Sequence, residues 1–218
     1  MFRIKFVCCY HHSVGTKPMS IDLSQALKNI KFEIRSLLFD WGNTVMKVFP
    51  DQQGPMAKWN HVEAIEGAGH VLSLLSEKFT LTLVSNAVNS NCELVRQALE
   101  RVNLNGFFAN VFTPHELHSS KPSPSYFNQI LIQLKLEPEN VVMVGDDYEY
   151  DIIGAKQVGL WTIWFNNQHI ALNARYPYHD FEISSLEKIP SVLEHHFKTK
   201  LSFSKPEKSI FDKLRRLR

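Results

Sequence analysis

The chain has 218 residues, of which 44% are hydrophobic and 21% charged, and its formal net charge is +2. This composition is typical of one soluble globular domain with terminal extensions, and the charge is too mild to predict nucleic acid as the partner. No apolar run approaches the ~20 residues that a membrane-spanning helix needs. The three cysteines form neither a disulfide framework nor a metal-ligand spacing, so we expect a reduced, cytoplasmic setting.

Residues 1–34 are predicted to be an N-terminal extension. Their first apolar stretch is too short and too interrupted for a secretion signal. One alternative is that Met19 is the true translational start and that residues 1–18 are not native. The pairs Cys8-Cys9 and His11-His12 are poor candidates for a metal site, because adjacent side chains point apart in most backbones.

Asp40 belongs to the first segment that suggests chemistry. An apolar strand is predicted over residues 35–40; it ends abruptly in this carboxylate, and a turn-prone Trp-Gly-Asn-Thr segment follows at once. In a parallel α/β protein, ligands bind just beyond the carboxyl ends of the strands. An aspartate at this place therefore indicates either a ligand site or a local turn cap.

Strands and helices alternate along the rest of the chain. Residues 45–62 contain two prolines and a glycine and are predicted to be an irregular loop. The segment 65–79 has apolar residues at spacings of three and four, which predicts an amphipathic helix. The further predicted elements are strand 81–86, helix 89–102, strand 107–113, a helix opened by Ser120-Lys121-Pro122, strand 141–145, a helix holding Ile152, Ala155 and Val158, strand 160–165, an irregular stretch at 166–182 and helix 184–197.

This alternation predicts an α/β fold with a central parallel sheet and helices on both faces, a Rossmann-like three-layer sandwich over residues 35–197. Residues 198–218 form a basic tail that follows the domain. One interpretation of the tail is a short amphipathic helix that touches an acidic surface or a membrane, and the other is a solvated, flexible terminus.

Polar residues follow several of these strands or open a helix, and a doubly wound sheet brings such positions to one crevice. Carboxylates from two strands suit Mg²⁺, and one of them can attack phosphorus. A hydroxyl and a lysine can hold the phosphoryl oxygens and offset their charge. A signalling receiver domain combines similar groups, but its acidic pair comes first along the chain, whereas here it comes last. The residues of this set are Asp40, Ser85, Asn86, Lys121, Asp146, Asp147 and Asp151.

Over about residues 35–197 the chain resembles the haloacid dehalogenase superfamily of Rossmann-like hydrolases. The segment from Asp40 to Thr44 is similar to the first motif of that family, Asp-x-Asp-x-Thr. The strand ending at Ser85 resembles the second motif, and Lys121 within Ser-Lys-Pro-Ser-Pro resembles the third. The stretch that begins Gly-Asp-Asp at residue 145 closely matches the fourth and is the most specific of the four.

The resemblance implies roles for these residues. Asp40 would be the nucleophile and a Mg²⁺ ligand, and Lys121 would steady the nucleophile and its adduct while contacting the substrate. Ser85 would hydrogen-bond the phosphoryl group, with Asn86 beside it in the substrate-binding set. The implied metal ligands besides Asp40 are Asp146, then Asp147 or Asp151 directly or through water, and the backbone carbonyl of Gly42.

Gly42 departs from the family pattern. The phosphatases of the family have a second Asp at this position, which protonates the leaving group and later activates water. General acid–base help is typically worth ~10²–10⁴ in rate, so ordinary phosphomonoester hydrolysis should be slow. A substrate with a good leaving group, such as an acyl or aryl phosphate, needs this help least.

A cap domain is also missing from the pattern. Asp40 and Ser85 are only 45 residues apart, and a predicted helix uses much of that span. The segment from Pro50 to Trp59 is long enough for a short flap, with Trp59 and Trp41 near the mouth of the site. Open sites in this family tend to serve large substrates or to be closed by a partner subunit, so a homodimer is one arrangement to test.

The sequence thus predicts a Mg²⁺-dependent hydrolase of phosphoric monoesters that works through an aspartyl-phosphate and is slow or narrow in substrate range. Its partner would be a phosphorylated substrate, either a small molecule or a macromolecule. The alternative, motivated by Gly42 and the basic tail, is a catalytically weakened domain that binds a phosphorylated ligand or a protein partner. The other motif positions are intact, which favours the enzyme.

Overall fold

The computed structural model describes residues 33–172 and 178–197. The predictions for Met19, for the cysteine and histidine pairs and for the basic tail fall outside these residues. So does nearly all of the predicted N-terminal extension, whose boundary stays a prediction. Across the described ranges, no helix is long and apolar enough to cross a membrane.

A six-stranded sheet forms the centre of the fold. Its strand order is β3-β2-β1-β4-β5-β6, and every neighbouring pair is parallel. The Rossmann-like α/β fold predicted from the alternation of elements is therefore confirmed. The strands are β1 (Ser36–Asp40), β2 (Thr80–Val84), β3 (Asn110–Phe112), β4 (Val141–Gly145), β5 (Trp161–Phe165) and β6 (Phe181–Ile183).

Helices cover both faces of this sheet. Leu37 and Phe39 of β1 belong to one buried apolar cluster and Leu38 to another, as the alternation of side chains along a strand requires. Every residue of β1 and of β4 is buried, which is why Leu37–Phe39 and Val141–Val144 are continuous apolar runs. The α-helices are α1 (Ala68–Ser76), α2 (Cys92–Glu100), α3 (Pro114–Leu117), α4 (Pro124–Leu134), α5 (Gly154–Gln157) and α6 (Ile189–Phe197); the first, second and sixth pack in the Leu37 cluster and the others in the Leu38 cluster.

Four elements differ from the sequence prediction, and one of them is helix α3, which lies where no element was predicted. Strand β6 begins inside the stretch predicted to be irregular, because three residues are too few to show a periodicity. The helix predicted around Ile152 begins as a π-helix, Tyr148–Ile153, before it continues as α5. The first helix begins only at Ala68, after Gly67 at φ 77°. Short 3₁₀ turns occur at Met56–Lys58, Asn105–Phe107, Pro138–Asn140 and Leu186–Lys188.

The direction in which the strands are added changes between β1 and β4. From β1 the chain adds β2 and β3 on one side of the sheet, and then β4 to β6 on the other. Open α/β sheets bind ligands at this switch point, outside the carboxyl ends of the strands. Asp40 is the last residue of β1 and Asp146 directly follows β4, so two predicted site residues flank the switch point.

Between β1 and β2 the structure describes the chain completely, and this stretch contains one 3₁₀ turn and one α-helix. It therefore holds no inserted helical cap, in agreement with the expectation from its length. The chain after β1 instead forms a loop with two isolated β-bridges, one between Gly42 and Met46 and one between Met46 and Ala64.

Candidate active site

Asp40 lies where β1 gives way to a tight turn, and it is only 9% exposed. The chain reverses at once, because the amides of Val45 and Met46 both donate to the carbonyl of Trp41, at 3.0 and 2.9 Å. Asn43 in this turn has φ 57°, a left-handed conformation in which Asn is enriched. The turn-prone residues after the strand therefore reverse the chain just beyond the carboxylate.

Lys121 connects Asp40 to Asp151. Its side chain is 2% exposed, and its amino group donates to Asp40 Oδ1 at 2.5 Å and to Asp151 Oδ1 at 2.6 Å. Asn86 fixes the lysine backbone, since its side chain accepts from the Lys121 amide and donates to the Lys121 carbonyl, both at 2.9 Å. Asn86 thus positions the lysine, and its predicted contact with substrate stays a prediction.

Asp146 is held by two residues that the sequence reasoning did not assign to the site. The hydroxyl of Thr44 donates to Asp146 Oδ1 at 2.8 Å and accepts from the Asp146 amide at 3.1 Å. The indole N–H of Trp164 donates to the Asp146 carbonyl at 3.0 Å. Thr44 belongs to the first motif, which was a usable signal, whereas Trp164 lies on another strand and no local pattern marks it.

The two remaining acidic residues take different places. Asp147 caps the π-helix, and its Oδ1 accepts from the amides of Glu149 and Tyr150 at 3.0 and 2.9 Å. Asp151 is fully buried; its Oδ2 accepts from the Asp147 amide at 3.1 Å, while its Oδ1 contacts Lys121. The structure therefore brings Asp151 to the lysine and leaves the Asp147 carboxylate at the helix start.

Ser85 directly follows β2 and is 3% exposed. Its hydroxyl oxygen accepts from the Ala87 amide at 3.0 Å, which leaves the hydroxyl proton able to donate to a ligand. The backbone carbonyls of Ser85 and Phe112 both accept from the buried hydroxyl of Tyr126, at 3.1 and 3.2 Å. The sequence reasoning missed this role of Tyr126, because a tyrosine on the inner side of a helix gives no sign of its partner.

Burial changes the acid–base behaviour of the site. Burial raises the pKa of Asp146 to about 6, and repulsion by Asp40 adds to this effect. Burial also raises the pKa of Asp151, although the charge of Lys121 opposes the shift. For Lys121, burial acts to lower the pKa, but the charges of Asp151 and Asp40 outweigh it and raise that pKa above its ordinary value. The lysine is therefore a cation at neutral pH.

Asp40, Asp146 and Asp151 offer carboxylate oxygens that all lie within 4.8 Å of one another; we refer to these three residues as the carboxylate cluster. When ionised, they carry more negative charge than Lys121 alone can balance. Mg²⁺ prefers such hard oxygen donors, and a bound cation offsets their repulsion. The donor set therefore fits the predicted Mg²⁺. Gly42 has no side chain to offer, and the role of its carbonyl stays a prediction.

A pocket of about 660 Å³ contains the carboxylate cluster in its lining. Gly54, Met56 and Trp59 also line it, so the segment predicted to be a flap does contribute to the site. Trp41 is a further lining residue and is 4% exposed. Its indole N–H is buried and has no hydrogen-bond partner among the described residues.

The motif residues thus converge on one pocket at the switch point of the sheet. A sequence profile of the haloacid dehalogenase-like hydrolases matches residues 5–165. The chain belongs to this family. The match covers more than three quarters of the domain predicted at residues 35–197. It includes the segments around Asp40, Ser85, Lys121 and Asp146.

Several curated proteins are similar to this chain in sequence. The glyceraldehyde 3-phosphate phosphatase of Pyrococcus furiosus is 30% identical over 139 residues, which cover 63% of this chain and 57% of that protein. The phosphoglycolate phosphatase of Aquifex aeolicus is 31% identical over 124 residues, or 57% and 55% of the two chains. The human N-acylneuraminate-9-phosphatase is 29% identical over 135 residues, or 62% and 53%. The chain spans about half the length of the curated relatives it matches.

Solved structures of the same fold are also similar. An uncharacterized protein from Listeria monocytogenes serotype 4b superimposes with a TM-score of 0.68 at 23% identity, over 76% of this chain and 100% of that one. The putative HAD-hydrolase YfnB from Bacillus subtilis, solved bound to magnesium, has a TM-score of 0.62 at 19% identity, over 77% and 100%. At these identities the likeness supports the fold alone.

Proposed function

We propose that this hydrolase cleaves phosphoric monoesters with Mg²⁺ and that Asp40 is its nucleophile. The observation that carries the proposal is the 2.5 Å contact between Asp40 and the buried cation of Lys121, within the carboxylate cluster. A carboxylate oxygen is able to attack phosphorus, and the Lys121 amino group lies where it offsets negative charge on Asp40 and its adduct.

The relatives support this substrate class. The three described above are phosphatases of glyceraldehyde 3-phosphate, phosphoglycolate and N-acylneuraminate 9-phosphate, which favours a phosphorylated small molecule here. The hard oxygen donors of the carboxylate cluster support the choice of ion. Their individual substrates are not carried over, because the similarity covers only about half of each relative.

The proposed reaction has two displacements at phosphorus. An oxygen of Asp40 bonds to phosphorus while the bond to the leaving-group oxygen breaks, and the leaving group keeps the electron pair. Water then attacks the aspartyl-phosphate, the Asp40 carboxylate leaves, and inorganic phosphate and a proton are released. Lys121 offsets negative charge on Asp40 in both steps, and the Ser85 hydroxyl donates to a phosphoryl oxygen.

Asp40, Asp146 and Asp151 are the proposed Mg²⁺ ligands, with Asp147 and the Gly42 carbonyl kept as further candidates. When bound, the ion neutralises charge on the phosphoryl oxygens and orients them. The part played by the chain itself is to hold three mutually repelling carboxylates together, which Lys121 and the hydrogen bonds to Asp146 accomplish.

Gly42 limits the substrates that this site can turn over quickly. An alkoxide is a poor leaving group unless an acid protonates it, and Gly42 offers no acid. We therefore propose that the enzyme is slow on ordinary alkyl phosphates and narrow in range. The alternative of a weakened domain that only binds ligands is not favoured, because the relatives are phosphatases and the carboxylate cluster is complete.

We further propose that residues 35–197 form the hydrolase domain, between an extension at 1–34 and a basic tail at 198–218. The cysteine pattern fits a cytoplasmic enzyme. A homodimer that closes the open pocket is consistent with the lack of a cap between Asp40 and Ser85, and the molecular mass in solution would test it.

The test is hydrolysis of acetyl phosphate and of para-nitrophenyl phosphate, with and without Mg²⁺, by the wild type and by Asp40→Asn. We expect the substitution to abolish turnover and the aspartyl-phosphate that acid quenching traps. Asp180→Asn is a matched control, because Asp180 also pairs with a lysine, Lys156 at 3.0 Å, but does not line the pocket. Turnover that survived in Asp40→Asn would overturn the nucleophile assignment.

A further inference from the structure

We propose that apolar residues in the pocket lining select phosphate esters with an uncharged aromatic leaving group. Val48, Met56, Trp59 and Val88 all line the pocket, and we call these four residues the apolar wall. The inference rests on the proposed phosphatase function and adds a substrate class to it.

The charge of the pocket lining is the first argument. Among the described residues that line it, Lys121 is the only lysine or arginine, and its amino group is already bonded to Asp40 and Asp151. A carboxylate or second phosphate on the leaving group would therefore find no cation of its own. It would also be repelled by Asp146 and Asp147, which line the same pocket.

Hydrogen bonds fix the backbone of the segment that carries Met56 and Trp59 of the apolar wall. The guanidinium of Arg101, just after α2, donates to four backbone carbonyls of the segment that carries Met56 and Trp59. Its Nη1 donates to Trp59 at 2.6 Å, to Ala57 at 3.1 Å and to Met56 at 3.4 Å, and its Nη2 to Asn60 at 3.4 Å. A rigid five-donor fork is suited to such a set of acceptors. Arg101 is thus a positioning residue for the wall.

Further hydrogen bonds fix the ring of Trp59. Its indole N–H donates to the carbonyls of Gln53 and Gly54, at 3.1 and 3.0 Å. Gln52 and His61 close the same segment, because each donates to the other, at 2.8 and 3.3 Å. An aromatic ring whose polar group is already satisfied presents a preorganised surface, and preorganisation reduces the entropy that binding must overcome.

Two independent features therefore favour the same substrate. Gly42 offers no acid, so the leaving group must depart without a proton, which an aryl oxygen does more readily than an alkyl oxygen. The apolar wall offers an aromatic and aliphatic surface to that same leaving group. An alkyl phosphate with an anionic group satisfies neither condition.

The first experiment compares leaving groups on the full chain with Mg²⁺. We expect kcat/KM for phenyl phosphate to exceed that for para-carboxyphenyl phosphate, whose leaving group is no poorer, and that for phosphoglycolate by about tenfold or more. Binding of inert analogues separates recognition from chemistry: phenylphosphonate should bind about tenfold more tightly than phosphonoacetate in calorimetry. Equal or tighter binding of phosphonoacetate would overturn the inference.

The second experiment removes the ring. Trp59→Ala should lower kcat/KM for para-nitrophenyl phosphate by about tenfold and leave acetyl phosphate within about threefold, since acetyl phosphate has no ring to contact. Trp161→Ala is the matched control, because Trp161 is also partly buried but lies at the start of β5 and does not line the pocket. An equal loss on both substrates in Trp59→Ala would show a merely structural role for Trp59.

The third experiment adds the missing cation. Val88 is 81% exposed, so Val88→Lys places a charge at the wall without burying it. We expect a gain of about fivefold in kcat/KM for para-carboxyphenyl phosphate over para-nitrophenyl phosphate. Ile132→Lys is the control, because Ile132 is 74% exposed on α4 and outside the pocket lining. The same change of preference in both variants would contradict the assignment.

The fourth experiment loosens the wall through Arg101. Arg101→Gln should raise KM for para-nitrophenyl phosphate with little change in kcat, and should leave KM for acetyl phosphate nearly unchanged. Arg101→Lys should raise this KM less than Arg101→Gln does, since lysine keeps the positive charge but not the forked set of guanidinium donors. A parallel loss of kcat on both substrates would mean that Arg101 only stabilises the fold.

The failure of this inference differs from the failure of the proposed function. If neither acetyl phosphate nor any ester is hydrolysed, the phosphatase proposal fails. If acetyl phosphate is hydrolysed but aryl esters have no advantage over their anionic counterparts, only the role of the apolar wall fails.

Discussion

Gly42 faces Val48 so closely that a Cβ added to the glycine would lie 3.0 Å from Val48 Cγ2. Valine is β-branched and stiff at χ1, so it does not move aside freely. The Val48 amide also donates to Asn43 Oδ1 at 3.1 Å, which fixes the backbone at this place. The space that an acidic side chain would need at residue 42 is thus partly occupied by the apolar wall.

This contact predicts how the missing acid can be restored. Gly42→Asp alone should have little effect on alkyl phosphates, because the new side chain meets Val48. Gly42→Asp combined with Val48→Ala should raise kcat for an alkyl phosphate such as glycerol phosphate, by up to ~10²-fold. The measurement is a steady-state rate with Mg²⁺ for both variants.

Val48→Ala by itself is the control for this pair. It opens the same space without adding an acid, so its kcat for the alkyl ester should stay at the wild-type level. A gain in Val48→Ala equal to that of the double variant would attribute the effect to space rather than to acid catalysis. If kcat rose in neither Val48→Ala nor the double variant, the lack of an acid at residue 42 would not be what limits hydrolysis of the alkyl ester.

The side chain of Asp151 packs so closely against Gly145 that residue 145 has no room for a side chain. A Cβ on Gly145 would lie 2.6 Å from the Asp151 Cβ and closer still to its carboxylate. Gly145→Ala should therefore cost about 1–3 kcal/mol of unfolding free energy and displace Asp151 from Lys121. We expect Mg²⁺ affinity to fall at least about tenfold in calorimetry, with chemical denaturation as the measure of stability.

Gly106→Ala is the matched control, because a Cβ there meets nothing within 4 Å. Its unfolding free energy and Mg²⁺ affinity should equal those of the wild type within about 0.5 kcal/mol. If Gly145→Ala behaved in the same way, the close packing of Gly145 against Asp151 would be wrong.

The sheet and the place of the site were predictable, because two signals in the sequence are strong. The core of β1, Leu37–Phe39, and that of β4, Val141–Val144, are continuous apolar runs typical of buried parallel strands, and an aspartate ends β1 and another follows β4. The carboxyl ends of parallel strands meet at one edge. Asp40, Asp146 and Lys121 could therefore be expected in one crevice from the sequence.

The partners within that crevice were not predictable. Asp147 and Asp151 were equal candidates in the sequence, and no local pattern showed that the π-helix uses Asp147 as its cap while Asp151 contacts Lys121. Tyr126 and Trp164 reach the site across the fold, and nothing in the neighbouring sequence indicates their contacts. Such contacts depend on packing rather than on local pattern.

The ionised carboxylate of Asp146 should lower the unfolding free energy of the metal-free protein. Because burial raises its pKa to about 6 from the ordinary 3.8, its ionised form costs stability above pH 6, and the cost is relieved as the pH falls from about 6 towards 3.8. Asp146→Asn should therefore raise the unfolding free energy at pH 7.5 in EDTA by on the order of 2 kcal/mol, or Tm by about 4–8 °C. Thermal unfolding at pH 7.5 and at pH 5 would measure this.

The difference between Asp146→Asn and the wild type should shrink at pH 5, where the wild-type carboxyl is largely protonated. Mg²⁺ should reverse the ranking at pH 7.5, since only the wild type keeps this ligand and binding to the folded state stabilises it. A variant that is less stable than the wild type in EDTA at both pH values would contradict the raised pKa.

The same pKa makes Mg²⁺ binding depend on pH. Protonation of Asp146 competes with the metal, so this residue should make the apparent affinity fall by up to about tenfold per pH unit below about pH 6, with uptake of a proton by the released site. Thr44 donates to Asp146 Oδ1 and so holds this pKa down. Thr44→Val removes that bond at nearly constant volume, and the midpoint of the pH profile should move to higher pH. Calorimetric titrations from pH 5 to 8 measure both curves, and coincident midpoints would show that Asp146 is not the titrating ligand.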